Sequence, residues 1–245
     1  MKKLAVMTMK GGTGKTTTAI NVAHGLSLCG NKVLLIDCDP QRNVAITFGV
    51  YGRRGLAQLL TTGNVEILQV RDNLYIIDSG GRKLIEVELQ LGGSEQREHR
   101  LRESLRYLQG CDFVFCDCPP SVNLINVNAL AYCDLIIIPI AMDYLSQVGA
   151  RQTVEVIDDI KERTGNDSMN FRILPTFYDA RTRISKEVLG RIRERFSGRI
   201  FNTVIRVNTA LSEAPHYNKT IYEHAPLSRG AFDYYRLTEE ILDCC

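Results

Sequence analysis

Lys10-Gly11-Gly12-Thr13-Gly14-Lys15-Thr16-Thr17 follows directly on the apolar run Leu4-Ala5-Val6-Met7-Thr8 and leads into Thr18-Ala19-Ile20-Asn21-Val22-Ala23. A strand, a glycine-rich turn and a helix in that order gather backbone N–H groups and the positive end of a helix dipole around one point, which is a site for anions. Gly11, Gly12 and Gly14 let the backbone wrap a phosphate without Cβ clashes, Lys15 supplies a point charge to the β- and γ-phosphates, and the Thr16 hydroxyl suits Mg²⁺. The strict pattern G-x-x-x-x-G-K-[ST] requires glycine at position 9, where this chain has Met9 and, beside it, Lys10. The bare alternative, a turn that binds nothing, does not explain a strand before it and a helix after.

Two further stretches carry the same chemistry. Val33-Leu34-Leu35-Ile36-Asp37-Cys38-Asp39-Pro40-Gln41 puts two carboxylates just beyond the carboxyl end of a buried strand, where open α/β sheets bind ligands. A lone aspartate there could merely cap a helix. Phe113-Val114-Phe115-Cys116-Asp117-Cys118-Pro119-Pro120-Ser121 ends another apolar strand on an aspartate, so Asp117 is expected to hold Mg²⁺ through water.

Similar runs recur at Leu74–Ile77, Leu135–Ile140, Phe171–Leu174 and Ile200–Ile205, with helical patterns between them. This rhythm predicts an α/β fold with a doubly wound, mostly parallel twisted sheet flanked by helices. Ser94 to Gln109 reads as an amphipathic helix with Leu101, Leu105 and Leu108 inward, and Leu189, Ile192 and Phe196 mark another. Gly49 to Gly93 is glycine-rich and predicts short helices and mobile connections. No repeat or Pro/Ser-rich linker divides the 245 residues, so a single domain over 1–245 is the expectation.

A net charge of +2 is too mild to announce a nucleic-acid partner from totals, so basic surface must be sought locally. No uncharged run reaches the roughly 18–20 residues of a membrane-spanning helix, and the start lacks a signal peptide's apolar length. A cytoplasmic, membrane-free protein is expected. Cys29, Cys38, Cys111 and Cys133 stand alone, and Cys116-Asp117-Cys118 lacks a zinc knuckle's two-residue spacer, so the cysteines read as reduced, mostly buried thiols. The adjacent Cys244 and Cys245 read as a frayed tail.

With Lys10 ahead of Gly11, the glycine loop resembles the deviant Walker A of the ParA/MinD-type ATPases, where the extra lysine reaches the other subunit's nucleotide across a dimer interface. The Asp37–Gln41 segment is similar to the family's second motif, which makes Asp39 the residue that positions or activates the attacking water and has Asp37 act on Mg²⁺ or the loop. Segments 141–144, 176–182 and 211–221 look like further blocks of the family in its own order, so the resemblance spans nearly the whole chain, closest to the short, Soj-like ParA branch without an N-terminal helix-turn-helix. It implies ATP and Mg²⁺ as cofactors, with Lys10, Lys15 and Asp39 catalytic and Lys10 to Thr17 on the nucleotide. Thr16, Asp37 and Asp117 fall to the metal, and Asn208 to the adenine. It further implies an ATP-dependent homodimer, slow hydrolysis stimulated by a ParB-like or cargo-adaptor protein, non-specific DNA binding on the nucleoid, and segregation of plasmid or chromosome DNA.

Around Asn208, Arg206-Val207-Asn208-Thr209-Ala210 departs from the family's Pro-Arg-Asn-x-Arg, which removes two arginines at Val207 and Ala210 and leaves a plain polar loop residue as the other reading of Asn208. From Arg181 to Arg206, however, eight basic residues face only Glu187 and Glu194, a local +6. Arg181, Arg183, Arg191, Arg195 and Arg199 are therefore the candidate DNA contacts, with a solvated charged face as the alternative. Other classes fit less well. A protein-cargo positioner, for carboxysomes or chemotaxis arrays, would use the same motifs. An iron–sulfur ATPase would exploit the cysteines, but Cys116 should point away from Asp117 on an alternating strand. A MinD-like membrane regulator needs a basic amphipathic end, whereas Tyr235 to Asp243 is acidic on its polar side. A P-loop kinase or ligase would need an acceptor pocket.

Overall fold

Aliphatic and β-branched runs form seven strands: β1 (Lys2–Val6), β2 (Val33–Asp37), β3 (Leu68–Arg71), β4 (Leu74–Ile77), β5 (Phe113–Asp117), β6 (Leu135–Ala141) and β7 (Asn170–Thr176). The computed structural model describes residues 1–93, 96–143 and 146–244, with backbone alone at 146–148. Ser94, Tyr144 and Cys245, each used in reading the sequence, lie outside the described residues. The strands lie side by side in the order β3-β4-β2-β5-β1-β6-β7, every pairing parallel except the antiparallel β3–β4 edge. This is the doubly wound α/β fold read from the sequence.

Eleven α-helices are described: α1 (Lys15–Leu28), α2 (Asn43–Phe48), α3 (Leu56–Thr62), α4 (Arg82–Leu91), α5 (Arg100–Ser104), α6 (Leu124–Tyr132), α7 (Ser146–Thr164), α8 (Arg183–Arg195), α9 (Ala210–Glu213), α10 (Ile221–His224) and α11 (Arg229–Cys244). Side chains alternate across the pleat, so β5 sends Phe113 and Phe115 to one face of the sheet and Val114 and Cys116 to the other. α1, α2, α10 and α11 cover the first face, and α3 to α8 the second. Both faces being covered, the central strands β2 and β5 are buried along their whole length.

Three sequence readings change. Ile200–Ile205 is no strand: Ile173 donates to the Arg199 carbonyl and Phe201 donates to the Ile173 carbonyl, but the next ladder donor would be Pro175, which has no N–H. The chain bulges there, and the Glu240 carboxylate accepts the N–H groups of Asn202 and Thr203 instead. The helix expected over 94–109 is reduced to a 3₁₀ turn at Arg97–His99 and to α5. Asn128 of α6 inserts its amide where the 101-to-97 helical bond would run, accepting from Leu101 N–H and donating to the Arg97 carbonyl. Leu101 and Leu105 still point into the core. Finally, the glycine-rich stretch contributes two strands, of which β3 was unforeseen.

Four of the cysteines are buried: Cys38, Cys116, Cys118 and Cys133 sit together on the second face, with the Cys133 and Cys116 sulfurs 3.9 Å apart, and Cys29 and Cys244 are exposed. All the described cysteines are free thiols. Among the described residues no group of three or more His, Cys, Asp or Glu side chains is arranged to hold a metal, and no helix is long and apolar enough to cross a membrane.

Candidate nucleotide site

At the carboxyl end of β1 the chain turns through the glycine loop into α1. Gly12 and Gly14 adopt left-handed backbone, φ 71° and 88°, which any side chain would strain. A Cβ at Gly11 or Gly12 would meet nothing within 4 Å, so the space beside the loop is open there. Gly14 caps α1, and Thr18 N–H donates to its carbonyl at 2.9 Å, so the amides of Lys15, Thr16 and Thr17 are the orphan donors of the first turn. The loop is anchored from outside by Met9 N–H donating to Thr153 Oγ1 and by Thr176 Oγ1 donating to the Thr13 carbonyl. The Lys15 ammonium donates to the Lys10 carbonyl at 3.2 Å across the loop mouth; burial lowers its pKa, against the pull of Asp117 and Asp39.

Three carboxylates face this loop from neighbouring strand ends. Asp37 and Asp117 are register partners across β2 and β5, and both are buried. Asp37 accepts N–H bonds from Asp39 and Val44, so its oxygens tie the turn that leads into α2. Burial, then the neighbouring Asp117, pushes its pKa well above the usual carboxylate range. Among the described residues, neither oxygen of Asp117 receives a hydrogen bond of good geometry. Burial raises its pKa to about 7, although Thr16 and Lys15 beside it pull downward. A carboxylate this deeply buried is costly, and a divalent cation held between it and the Thr16 hydroxyl would compensate the charge. The residues present therefore fit Mg²⁺. Asp39 is only half-buried, its carboxylate accepting the Gln41 N–H at 2.9 Å at the rim of the loop.

Beside α1 lies a cavity of about 230 Å³, lined by Gly14, Thr17, Thr176, Phe177, Arg206 and Asn208 among others. Asn208 Oδ1 accepts the Ala210 N–H, which leaves its amide nitrogen for a ligand edge. Phe177 is half exposed, holds φ at 51°, and lies 3.8 Å from where a Gly14 Cβ would stand. A non-glycine residue held there costs about 1–2 kcal/mol, and such strain is concentrated at binding sites. The sequence reading gave Phe177 and Thr176 no role; their position just past the carboxyl end of β7 was the available signal. Lys10 turns away from the loop, its ammonium 3.0 and 3.1 Å from the Asp143 carboxylate oxygens.

The structure thus brings Lys10 through Thr17, Asp37, Asp39, Asp117 and Asn208 to one end of the sheet. Of the basic candidates, Arg181 and Arg183 follow β7 at this same end, whereas Arg191, Arg195 and Arg199 lie further along α8 and beyond it. Arg181, Arg183, Arg191, Arg195 and Arg199 are all exposed, but Arg181 is paired with Asp179 at 2.8 Å and Arg183 with Glu187 at 2.6 Å.

Comparison with known proteins bears on this geometry. Residues 1–171 match the model of a family described as AAA domain. The chromosome-partitioning ATPase Soj of Thermus thermophilus is 35% identical over 99% of this chain and 96% of its own length. The sporulation initiation inhibitor protein Soj of Bacillus subtilis is 33% identical, covering 98% of each. Among solved structures, the cobyrinic acid a,c-diamide synthase of Mycobacterium smegmatis, with bound ATP analog and magnesium, superposes with a TM-score of 0.84 at 27% identity, over 99% of this chain and 94% of that one. With 33–35% identity to these relatives over 98–99% of its length, the chain belongs to the AAA domain family and, within it, to the Soj-like branch of the ParA/MinD-type ATPases.

Proposed function

We propose that the chain is a partition ATPase: MgATP joins two copies face to face, the dimer holds DNA without sequence preference, and a ParB-like partner stimulates the hydrolysis that releases it. The observation that carries the nucleotide part is the fully buried Asp117 carboxylate set against Thr16 and Lys15 at the foot of a glycine loop. Mg²⁺, when bound, offsets the charge of the phosphate oxygens and of Asp117. Lys15 and the amides of the α1 first turn hold the β- and γ-phosphates, and Gly11, Gly12, Thr13 and Gly14 form the wall around them. Thr16 and Asp117 hold the metal, with Asp37 fixing the turn that carries Asp39. Asp39, at the rim, orients the attacking water. Asn208 and Phe177 receive the base, with Thr17 at the floor of the same cavity.

Lys10 serves the partner's nucleotide. Its contact with Asp143 lies at the surface, with 35% and 51% of the two side chains exposed, so exchanging it for a phosphate across an interface costs little. The names of the relatives support chromosomal DNA as cargo.

Replacing Asp39 with alanine tests this. The variant should bind MgATP, form a stable dimer and retain DNA, while hydrolysing far more slowly than the parent. Rapid turnover by Asp39→Ala would remove its role. Proteins captured on the trapped dimer, if they decorate a protein body instead of DNA, would reassign the cargo.

A further inference from the structure

One wall of the base cavity is built by α11. Gly230, Asp233, Tyr234 and Leu237 lie three or four residues apart along this helix, so they share one face, and that face is buried. Tyr234 lines the cavity beside Asn208, and its hydroxyl is 3.1 Å from Thr18 Oγ1 of α1. A Cβ on Gly230 would stand 3.1 Å from the Asn208 amide nitrogen and 3.0 Å from Leu211, so glycine is what lets the Asn208 loop lie against the start of α11. Asp233 makes the third contact. Its buried carboxylate accepts the backbone N–H of Arg206 at 3.0 Å, Nε at 3.0 Å from each oxygen, and Nη2 at 2.5 Å. A carboxylate at this depth needs a charged, hydrogen-bonded partner, and Arg206, two residues before Asn208, is that partner.

The same turn is fastened to the opposite wall. Tyr178, which follows Phe177, donates its N–H to the Ile205 carbonyl at 3.0 Å and accepts the Val207 N–H at 3.1 Å. This bridge makes no use of the Arg206 N–H, which turns to Asp233 instead. Where the family's pattern has proline, a residue that fixes φ and has no N–H to place, this chain has an arginine whose main chain and side chain are both held by α11. Resting on the reading of this cavity as the base site, we propose that Arg206 and Asp233 are positioning residues for nucleobase recognition: the pair fixes the 206–208 turn so that the Asn208 amide and the Phe177 ring meet the base in a preformed site. Neither residue belongs to the phosphate-binding loop. The pair therefore governs the part of the affinity that depends on the base. Without it the turn is ordered only when the base arrives, and that ordering weakens binding. A fixed donor also discriminates between purines whose edges carry different donors and acceptors, whereas a mobile one adapts to either.

The test is calorimetric binding of the full-length protein, with Mg²⁺, to ATP, to GTP and to inorganic tripolyphosphate, which lacks base and sugar. Two double variants remove the pair without stranding a buried charge. Arg206→Leu/Asp233→Ala frees the turn; it should bind ATP about tenfold more weakly, bind tripolyphosphate within about twofold of the parent, and lose most of the preference for ATP over GTP. Arg206→Pro/Asp233→Ala stiffens the same turn by other means and should recover ATP affinity to within about threefold of the parent. The proposal is overturned by a leucine double variant with parental ATP affinity and selectivity, by one that loses ATP and tripolyphosphate equally, or by a proline double variant no better than it. Asn208→Ala distinguishes the two failures: if it too keeps parental ATP affinity, the cavity is not the base site, and if it alone weakens ATP, only the positioning role is lost. Should the leucine double variant fail to fold, Arg206→Lys, which keeps a charge but not the planar fork, should show a smaller loss confined to ATP; no loss, or one shared by tripolyphosphate, refutes the role.

Discussion

Lys10 must leave Asp143 before it can reach another subunit, so Asp143→Asn should tighten the ATP-bound dimer. The pair is bidentate, 3.0 and 3.1 Å, but lies at the surface, and pairs of this exposure contribute about 0.2–1 kcal/mol. Dimerisation breaks two such contacts, one per subunit, which sets the gain at about 0.4–2 kcal/mol, or roughly 2- to 30-fold in the dimer dissociation constant. Sedimentation equilibrium of the Asp39→Ala protein with MgATP, with and without Asp143→Asn, reads this directly. The gain should shrink as salt rises, because the screening length falls from about 10 Å at 0.1 M to about 3 Å at 1 M. A dimer that Asp143→Asn leaves unchanged at low salt, or weakens, would mean that Asp143 does not restrain Lys10 or is itself needed in the interface.

Other consequences are as direct. Asp117→Asn removes a buried charge, so the nucleotide-free chain should melt higher while magnesium ceases to tighten ATP binding; a lower melting temperature with magnesium dependence intact would contradict the assignment. Phe177→Gly relieves the backbone at φ 51° but deletes the ring beside the base cavity, so ATP affinity should fall about 2- to 12-fold, by calorimetry, with no loss of thermal stability. His24 is buried with Nδ1 2.6 Å from Thr220 Oγ1, and desolvation lowers its pKa below the ordinary value near 6.5. Above that value it is neutral folded and unfolded alike; as pH falls through it, the unfolded chain takes the proton first and stability declines until the folded group titrates. Melting temperatures at pH 7.5 and 5.5 should therefore differ less in His24→Gln than in the parent.

What could be read from the sequence was what local sterics enforce. Gly12 and Gly14 announce the loop because their dihedrals exclude a side chain, and Asp37 and Asp117 announce the site because they end apolar strands. Errors arose where a distant residue decides. Nothing in Ile200–Ile205 reveals that its neighbour is Pro175, and nothing between 94 and 109 reveals that Asn128 will take over one of its helical bonds. β3 escaped notice because Leu68-Gln69-Val70-Arg71 is a four-residue edge without a fully buried face. Phe177 escaped notice because a left-handed aromatic carries no glycine to mark it. A cavity ringed by Lys2, Arg172 and Arg199 is the plainest case, since these residues meet only once β1 and β7 are aligned around β6.

Charge decides which anion the carboxyl end of the sheet accepts. At the carboxyl end Asp37, Asp39 and Asp117 surround Lys15, and Lys10 is held by Asp143, so a polyphosphate is favourable there only with a divalent cation between it and the carboxylates.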